Sequence, residues 1–445
     1  MPIKKTAEGL ERVIGVPGLA LTIVNNTIGA GIFALPAIVS MQLGAFGIFA
    51  YIIGSLLMAT IMLCYMEIGT RVTSSGGSYA YVEAAFGNFA GFVINWLYFF
   101  GWGVLGSAAV INIFADSLSV LFPVLTNSLV RALLFFVVLG AIVLLNIRGT
   151  KQSVQFLKVI SIIKLLPLFA IIIFGFNHIK PSNLHLQNLP PLKTFADTVL
   201  VLIFAIAGFE SSLSVSGEIK NSRRTVPLGI LLGGVLVFIT YMLIQTVTQG
   251  VLGAQISAVN DAPLAAVAEQ IIGPVGATVL LLAAAISCFG LNSGDILSTP
   301  RLLFAGANDG LFPKFLAKVH PKFATPYAAI ITYASLIFIF SVSGSFKQLA
   351  ILASASILLI YLSVILATIK MRTKKREVAE KTFRIPGGLI IPFIGIAAII
   401  WLLTSLGKWE ILSTVIFIAL VCVIYFVMKK VKKEKIRIEL AEEIL

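Results

Sequence analysis

Apolar runs of about twenty residues follow one another along the whole chain, separated by short polar stretches, and this constrains the fold more than any motif. A helix rises 1.5 Å per residue, so a run of that length crosses roughly 30 Å of hydrocarbon. There every backbone N–H and C=O has to find a partner within the protein, which helices provide segment by segment. The composition agrees: 58% of the 445 residues are hydrophobic and 12% are charged, with a mean hydropathy of +1.02. Soluble domains carry roughly twice that share of charge, so too little polar surface remains to cover a globule in water. The chain is expected to be an all-α integral membrane protein of about twelve spans, with no room for a separate soluble domain.

Hydropathy and loop punctuation place the spans near 14–39, 43–70, 87–116, 128–147, 153–177, 195–216, 226–249, 276–306, 327–342, 347–370, 388–407 and 410–428. The third and eighth exceed what a perpendicular span needs, which predicts tilt. Residues 1–13 carry Lys4, Lys5, Glu11 and Arg12, and the apolar stretch after them reads as a full-length first span rather than a cleavable signal.

The net charge of +14 suggests nucleic acid, yet the basic residues gather at membrane-flanking ends rather than along one basic and aromatic surface. With a cytoplasmic N-terminus, 25 of the 33 Lys and Arg fall in inside segments, seven of them from Lys370 to Arg384 and six from Lys429 to Arg437. Five fall outside: Arg131, Lys180, Lys193, Lys347 and Lys408. The bias predicts cytoplasmic termini and an even number of spans. The basic tail 429–445 reads as a stop-transfer anchor that can also touch anionic lipid.

Two spans are interrupted in related ways. Asn25-Asn26-Thr27-Ile28-Gly29-Ala30-Gly31 breaks the first near its middle, and Ala205-Ile206-Ala207-Gly208-Phe209-Glu210-Ser211-Ser212 breaks the sixth. The two lie one five-span unit apart, and paired interruptions at corresponding positions point to a transporter binding site. An odd number of spans per unit also inverts the second relative to the first. Glycine permits unwinding, and unwound backbone at membrane depth is tolerated beside a cavity or a ligand. Amides freed after Gly29, at the positive end of the next half-helix, would receive a carboxylate. Freed carbonyls on the preceding turn would accept from an ammonium group. The competing reading is that Gly29 and Gly31 only allow close helix packing.

Three charged side chains sit at depth. Glu210 adjoins the second break, where a carboxylate serves as proton carrier, gate partner or substrate ligand, or else bonds the freed amides of the break. Lys164, about eleven residues into the fifth span, exchanges protons, stands where a sodium ion would bind, or snorkels to the cytoplasmic end. Asp295, in the eighth span, faces the central cavity or pairs with Lys164. Cys64, Cys288 and Cys422 lie singly in apolar stretches, as buried packing residues do. His178, His185 and His320 fall far apart in loops, so no metal site and no cofactor is expected.

Four passages together resemble the amino acid–polyamine–organocation superfamily of permeases. They are Gly29-Ala30-Gly31-Ile32-Phe33; Ser75-Gly76-Gly77-Ser78-Tyr79-Ala80-Tyr81; Gly208-Phe209-Glu210 with Glu218-Ile219-Lys220-Asn221 and Arg224-Thr225-Val226-Pro227; and Arg301 through Asn308-Asp309-Gly310-Leu311-Phe312-Pro313 to Thr325-Pro326. The resemblance implies a leucine-transporter-type fold with alternating access. Two inverted five-helix repeats would cover 14–177 and 195–370, with two further helices over 388–428 between the tails 1–13 and 429–445. It implies substrate contacts at Thr27, Ile28, Ala30 and Gly31, joined by Asn26 and Gly29 of the same break, and at Phe204, Ala205, Ala207 and Gly208. Phe204 would be an aromatic lid and Glu210 a proximal-gate residue. Gly101 and Trp102 would line the cavity, Trp102 narrowing it. Lys164 matches a lysine of the sodium-independent branches. Where the arginine/agmatine antiporters usually carry two tryptophans, this chain has Phe204 and Asp295, which counts against that exchange.

The leading expectation is a sodium-independent amino acid transporter of the cytoplasmic membrane, by proton symport or exchange. Its partners are a small amino acid or amine, protons and the bilayer, not nucleic acid. A cationic amino acid or polyamine antiporter using Glu210 or Asp295 is the alternative within transport. A non-transporting nutrient sensor would usually carry a soluble signalling domain. An enzyme would need a nucleophile, base or metal constellation, and neither HExxH nor GxSxG occurs.

Overall fold

The computed structural model describes residues 12, 14–29, 31–74, 76–186, 189–214, 216–259, 262–308, 310, 312–344, 346–373 and 383–442. Among these the protein is all-helical, with one isolated bridge between Ile14 and Ile219 and no strand. The first passage consists of α1 (Val16–Thr27) and α2 (Gly31–Leu43), followed by α3 (Gly47–Arg71) and a short α4 (Ser78–Phe86). In the third, α5 (Asn88–Trp96) runs through a π-helical stretch, Leu97–Val104, into α6 (Leu105–Ser119). Next come α7 (Ser128–Ile147), α8 (Thr150–Gly175), α9 (Leu192–Ile206), α10 (Ser222–Leu252) and α11 (Pro263–Ile272). The chain continues with α12 (Pro274–Ser298), α13 (Pro300–Asn308), α14 (Tyr327–Ser343), α15 (Phe346–Thr373), α16 (Ile390–Thr404) and α17 (Lys408–Glu442).

Helix occupies each of the expected spans. Among the described residues, eight helical runs are long and apolar enough to cross a membrane, and Tyr327–Ser343 and Ile390–Thr404 are apolar but shorter. Two helices fall where hydropathy shows loops, α4 and α11. The ten residues of α11 are too few to span, but its ends are marked in the sequence: Pro263 opens it and Gly273, at φ 82°, follows it. The eighth span is not one long helix. It turns at Thr299, where Pro300 cannot donate to the preceding turn, so part of its extra length is the separate helix α13.

Lipid tails are as apolar as leucine, so close packing rather than water exclusion holds helix to helix. Two large apolar cores result, with a small cluster of Val110, Phe114, Ala285 and Cys288 beside them. One joins α1, α3, α9 and α10 through Leu19, Ile23, Met62, Leu202 and Ile230. The other joins the third passage to α7, α12 and α14 through Phe99, Leu105, Phe135, Ile296 and Tyr333. Trp102 packs against both. At the periphery, Leu129, Leu133 and Phe136 of α7 and Val415, Leu420 and Phe426 of α17 are exposed, as lipid-facing side chains are. Cys64 and Cys288 are buried, whereas Cys422 on α17 is only half-buried, correcting the expectation for that residue.

One polar cluster was not anticipated. Glu67, fully buried near the end of α3, accepts from Arg71 at 2.8 Å, from Arg372 at 2.8 and 2.5 Å, and from the Ile385 amide at 3.0 Å. Arg71 also donates to the Met371 carbonyl at 2.9 Å. One carboxylate thus ties α3, the end of α15 and the segment leading to α16.

Candidate functional site

The first break forms because α1 stops at Thr27 and Ile28 turns extended, at φ −78° and ψ 92°. Its carbonyls are therefore released from the helical ladder, and unpaired carbonyls at this depth need donors. Lys164 supplies two hydrogen bonds, its Nζ donating to Asn25 O at 2.7 Å and to Ile28 O at 2.5 Å. Ser287 Oγ stands 3.1 Å from Ile28 O and 3.2 Å from Gly29 O. Lys164 is fully buried, so it does not snorkel. Nor does it pair with Asp295: the ammonium is held by backbone oxygens of α1, which corrects that expectation.

The second break follows α9. Ala207 is extended and Gly208 adopts φ 113°, a left-handed conformation that glycine alone takes without strain. A Cβ there would also lie 2.5 Å from the Asn26 carbonyl, so the two breaks touch backbone to backbone. Asn26 Nδ2 stitches them further, donating to Ser211 Oγ at 2.9 Å and Ser212 Oγ at 3.2 Å. Glu210 is fully buried and its Oε2 accepts from the Gly208 amide at 3.0 Å and the Tyr361 hydroxyl at 2.7 Å. It bonds a freed amide of its own break and fastens that break to α15. Its Oε1 has no partner, and neither has the buried hydroxyl of Tyr98 on the π-helical stretch.

Where the two breaks meet lies a cavity of about 530 Å³. Asn26, Thr27, Gly29 and Gly31 line it from the first break, Ala205, Ala207 and Gly208 from the second, and Trp102 and Asp295 from opposite helices. The Thr27 hydroxyl is buried there without a partner. Most of the remaining wall is apolar, with Leu35, Val110, Val201 and Leu291 among its residues. Asp295 accepts from Ser107 Oγ at 2.6 Å, from Thr299 Oγ1 at 2.7 Å and from the Tyr333 hydroxyl.

Other expected residues lie elsewhere. Ile28 is buried outside the cavity lining, its carbonyl engaged by Lys164 and Ser287. Gly101 faces α15 rather than the cavity, since a Cβ there would sit 2.2 Å from Ser356 Oγ. Glu210 and Lys164 brace the breaks from behind and do not line the cavity. Ala30 and the Phe204 side chain lie outside the described residues, as do Ser75, Asp309 and Leu311 of the motif passages. Ser211 belongs to the second break as read from the sequence, whereas Ser107 and Tyr333 were not among the expected residues. Thr299 was findable, four residues after Asp295 on one helix face, whereas Ser107 and Tyr333 come from other helices.

A second cavity of about 410 Å³ adjoins the first, sharing Ala34 and Ile113 and reaching Asp116 and α11. The opposite side is shut. Ile14 pairs with the segment after the second break, its amide donating to Glu218 O at 3.0 Å and its carbonyl accepting from Lys220 at 2.8 Å. Glu218 binds Arg301 at 3.1 Å, both side chains nearly inaccessible. The Gly76 amide closes onto Ser214 O at 3.0 Å.

Two interrupted helices meeting across a cavity within an all-helical, multi-span membrane protein define a membrane transporter, not an enzyme. The chain belongs to the amino acid permease family, whose sequence pattern matches residues 14–438. It is similar to the serine/threonine exchanger SteT of Bacillus subtilis (strain 168), 27% identical over 416 residues, 91% of this chain and 93% of that one. The methylthioribose transporter of the same organism is 26% identical over 437 residues, 94% of each chain. Its branched-chain amino acid permease BcaP is also 26% identical over 437 residues, 94% of this chain and 93% of that one.

Proposed function

We propose that the protein is a sodium-independent secondary transporter of amino acids in the cytoplasmic membrane, working by alternating access through proton symport or exchange. The observation that carries this reading is the Lys164 ammonium lodged between Asn25 O and Ile28 O. Carbonyls of an unwound helix are the ligand type a sodium ion would take, and here a covalently attached cation fills the role. In this reading the substrate carboxylate docks on the positive start of α2, where Gly29 and Gly31 line the cavity. The substrate ammonium docks on carbonyls of the second break. Similarity to a serine/threonine exchanger and to a branched-chain amino acid permease supports the substrate class.

The reading keeps two inverted repeats over 14–177 and 195–370, and both termini in the cytoplasm, on the strength of the Lys and Arg bias. On that orientation the cavity faces outward and the Glu218–Arg301 side faces the cytoplasm.

The test is uptake of labelled serine, threonine and leucine into proteoliposomes. Replacing sodium with an organic cation should leave the rate unchanged, and either a pH gradient or internal substrate should drive uptake. A sodium requirement would overturn the reading. Lys164→Ala is expected to lower accumulation by about tenfold or more while the protein still folds, since the first break loses the cation that holds it and Ile28 O keeps Ser287 as a donor. Unchanged proton-dependent uptake in that variant removes Lys164 from the mechanism.

A further inference from the structure

Among the described residues lining the central cavity, Asp295 is the one with an ionisable side chain. Its carboxylate is fixed rather than swinging, because its three donors come from three helices: Ser107 on α6, Thr299 at the end of α12 and Tyr333 on α14. A carboxylate offers about four acceptor positions on its two oxygens. Ser107 and Tyr333 share Oδ2, while Thr299 alone occupies Oδ1. One position on Oδ1 therefore remains. The three donors are neutral hydroxyls, so they satisfy hydrogen bonds without supplying the positive charge a buried carboxylate favours. Around it the wall offers mostly alkyl surface, from Leu35, Ile38, Val110, Ile113, Val201 and Leu291.

We infer that Asp295 reads the substrate side chain, selecting amino acids whose side chain donates a hydrogen bond from an ammonium or hydroxyl group over apolar isosteres. This rests on the cavity being the amino acid site. With the substrate's main-chain groups held at the two breaks, its side chain is left to meet the third wall of the cavity, where Asp295 stands. A donor N–H or O–H fills the open position on Oδ1. An apolar side chain of the same size displaces water from that position and puts nothing in its place. A site built around a polar group discriminates more strongly than an alkyl pocket for this reason.

Two isosteric pairs test the inference on the wild-type protein in detergent, by calorimetry: threonine against valine, and ornithine against norleucine. In at least one pair the donor-bearing member is expected to bind about tenfold more tightly, the size of one lost buried hydrogen bond. A preference below about threefold in both pairs, or for the apolar members, overturns the inference while leaving the amino acid site intact. Asp295→Asn preserves volume and removes the carboxylate, so the two affinities of the favoured pair should converge. An unchanged ratio in that variant, shown by its Tm to be folded, assigns the preference elsewhere and also overturns the inference. The wild-type pairs decide the matter even where the variant does not fold. Binding of no amino acid in either pair, nor of serine or leucine, overturns the proposed function itself and this inference with it.

Discussion

At the scale of single residues, the site depends on how closely two backbones approach. Gly31 begins α2, and a Cβ there would lie 2.8 Å from Ala205 Cβ and 3.3 Å from Ala205 Cα. Neither contact is with the end of a flexible side chain, so any substituent must push α2 away from α9. Overpacking of this kind costs about 1–3 kcal/mol, and here the displaced atoms are those that line the cavity. Gly31→Val is expected to weaken amino acid binding by about tenfold or more while helicity is retained. Titration calorimetry with a circular dichroism melt checks both halves. Wild-type affinity in a folded Gly31→Val protein would remove the first break from the binding site. Lys164 poses the complementary case: its ammonium is held by two backbone carbonyls of the first break, so its effect on that break is inseparable from where the chain unwinds.

At the scale of elements, α15 is pinned twice. Tyr361 reaches Glu210 in the second break, and eleven residues on Arg372 reaches Glu67 of α3. Glu67→Gln leaves Arg71 and Arg372 without a counter-charge. Removing one partner of a fully buried pair costs about 3–5 kcal/mol, and surface pairs contribute near zero. The arginine side chains are 12% and 19% exposed, so a loss of about 1–3 kcal/mol is expected, read as a lower Tm in detergent. An unchanged Tm would show that the cluster contributes no stability. The contrast between the two pins shows what the sequence can and cannot disclose. The breaks were legible because Gly29, Gly31 and Gly208 interrupt apolar runs locally, and a local interruption needs no partner to be seen. Buried Lys164, Glu210 and Asp295 were legible as charges at depth for the same reason. Their partners were not, because Tyr361, Tyr333 and Ser107 lie on helices whose neighbours packing alone decides. Glu67 was a charge at depth too, with Arg71 one turn on, and that signal went unread.

At the scale of the whole molecule, one side is open and the other shut, and the shutting contacts are few. The second cavity continues the first through Ala34 and Ile113, whereas the far side is closed by the Ile14 strap, the Gly76–Ser214 contact and the Glu218–Arg301 pair. Of these, the ion pair is the one formed between charged side chains, and it joins the segment after the second break to α13. Alternating access requires this side to open, so the pair has to separate once per cycle while the strap and loop follow. Glu218→Gln keeps shape and removes charge, which destabilises the shut state relative to the open one. A difference of 1.4 kcal/mol shifts that equilibrium about tenfold. The shift can be read with a single reporter, Ser214→Cys, in a background where Cys64, Cys288 and Cys422 are alanine. Ser214 is buried behind the closure, so a membrane-impermeant maleimide reaches it only when this side opens. In inside-out vesicles Glu218→Gln should label roughly tenfold faster than its parent, and saturating substrate should change both rates. Faster labelling from the outer face instead would place the closure on the opposite side of the membrane and reverse the orientation inferred from the Lys and Arg bias. Equal rates in parent and variant would leave the closed state to packing around Ile14 and Gly76, with the ion pair only following it.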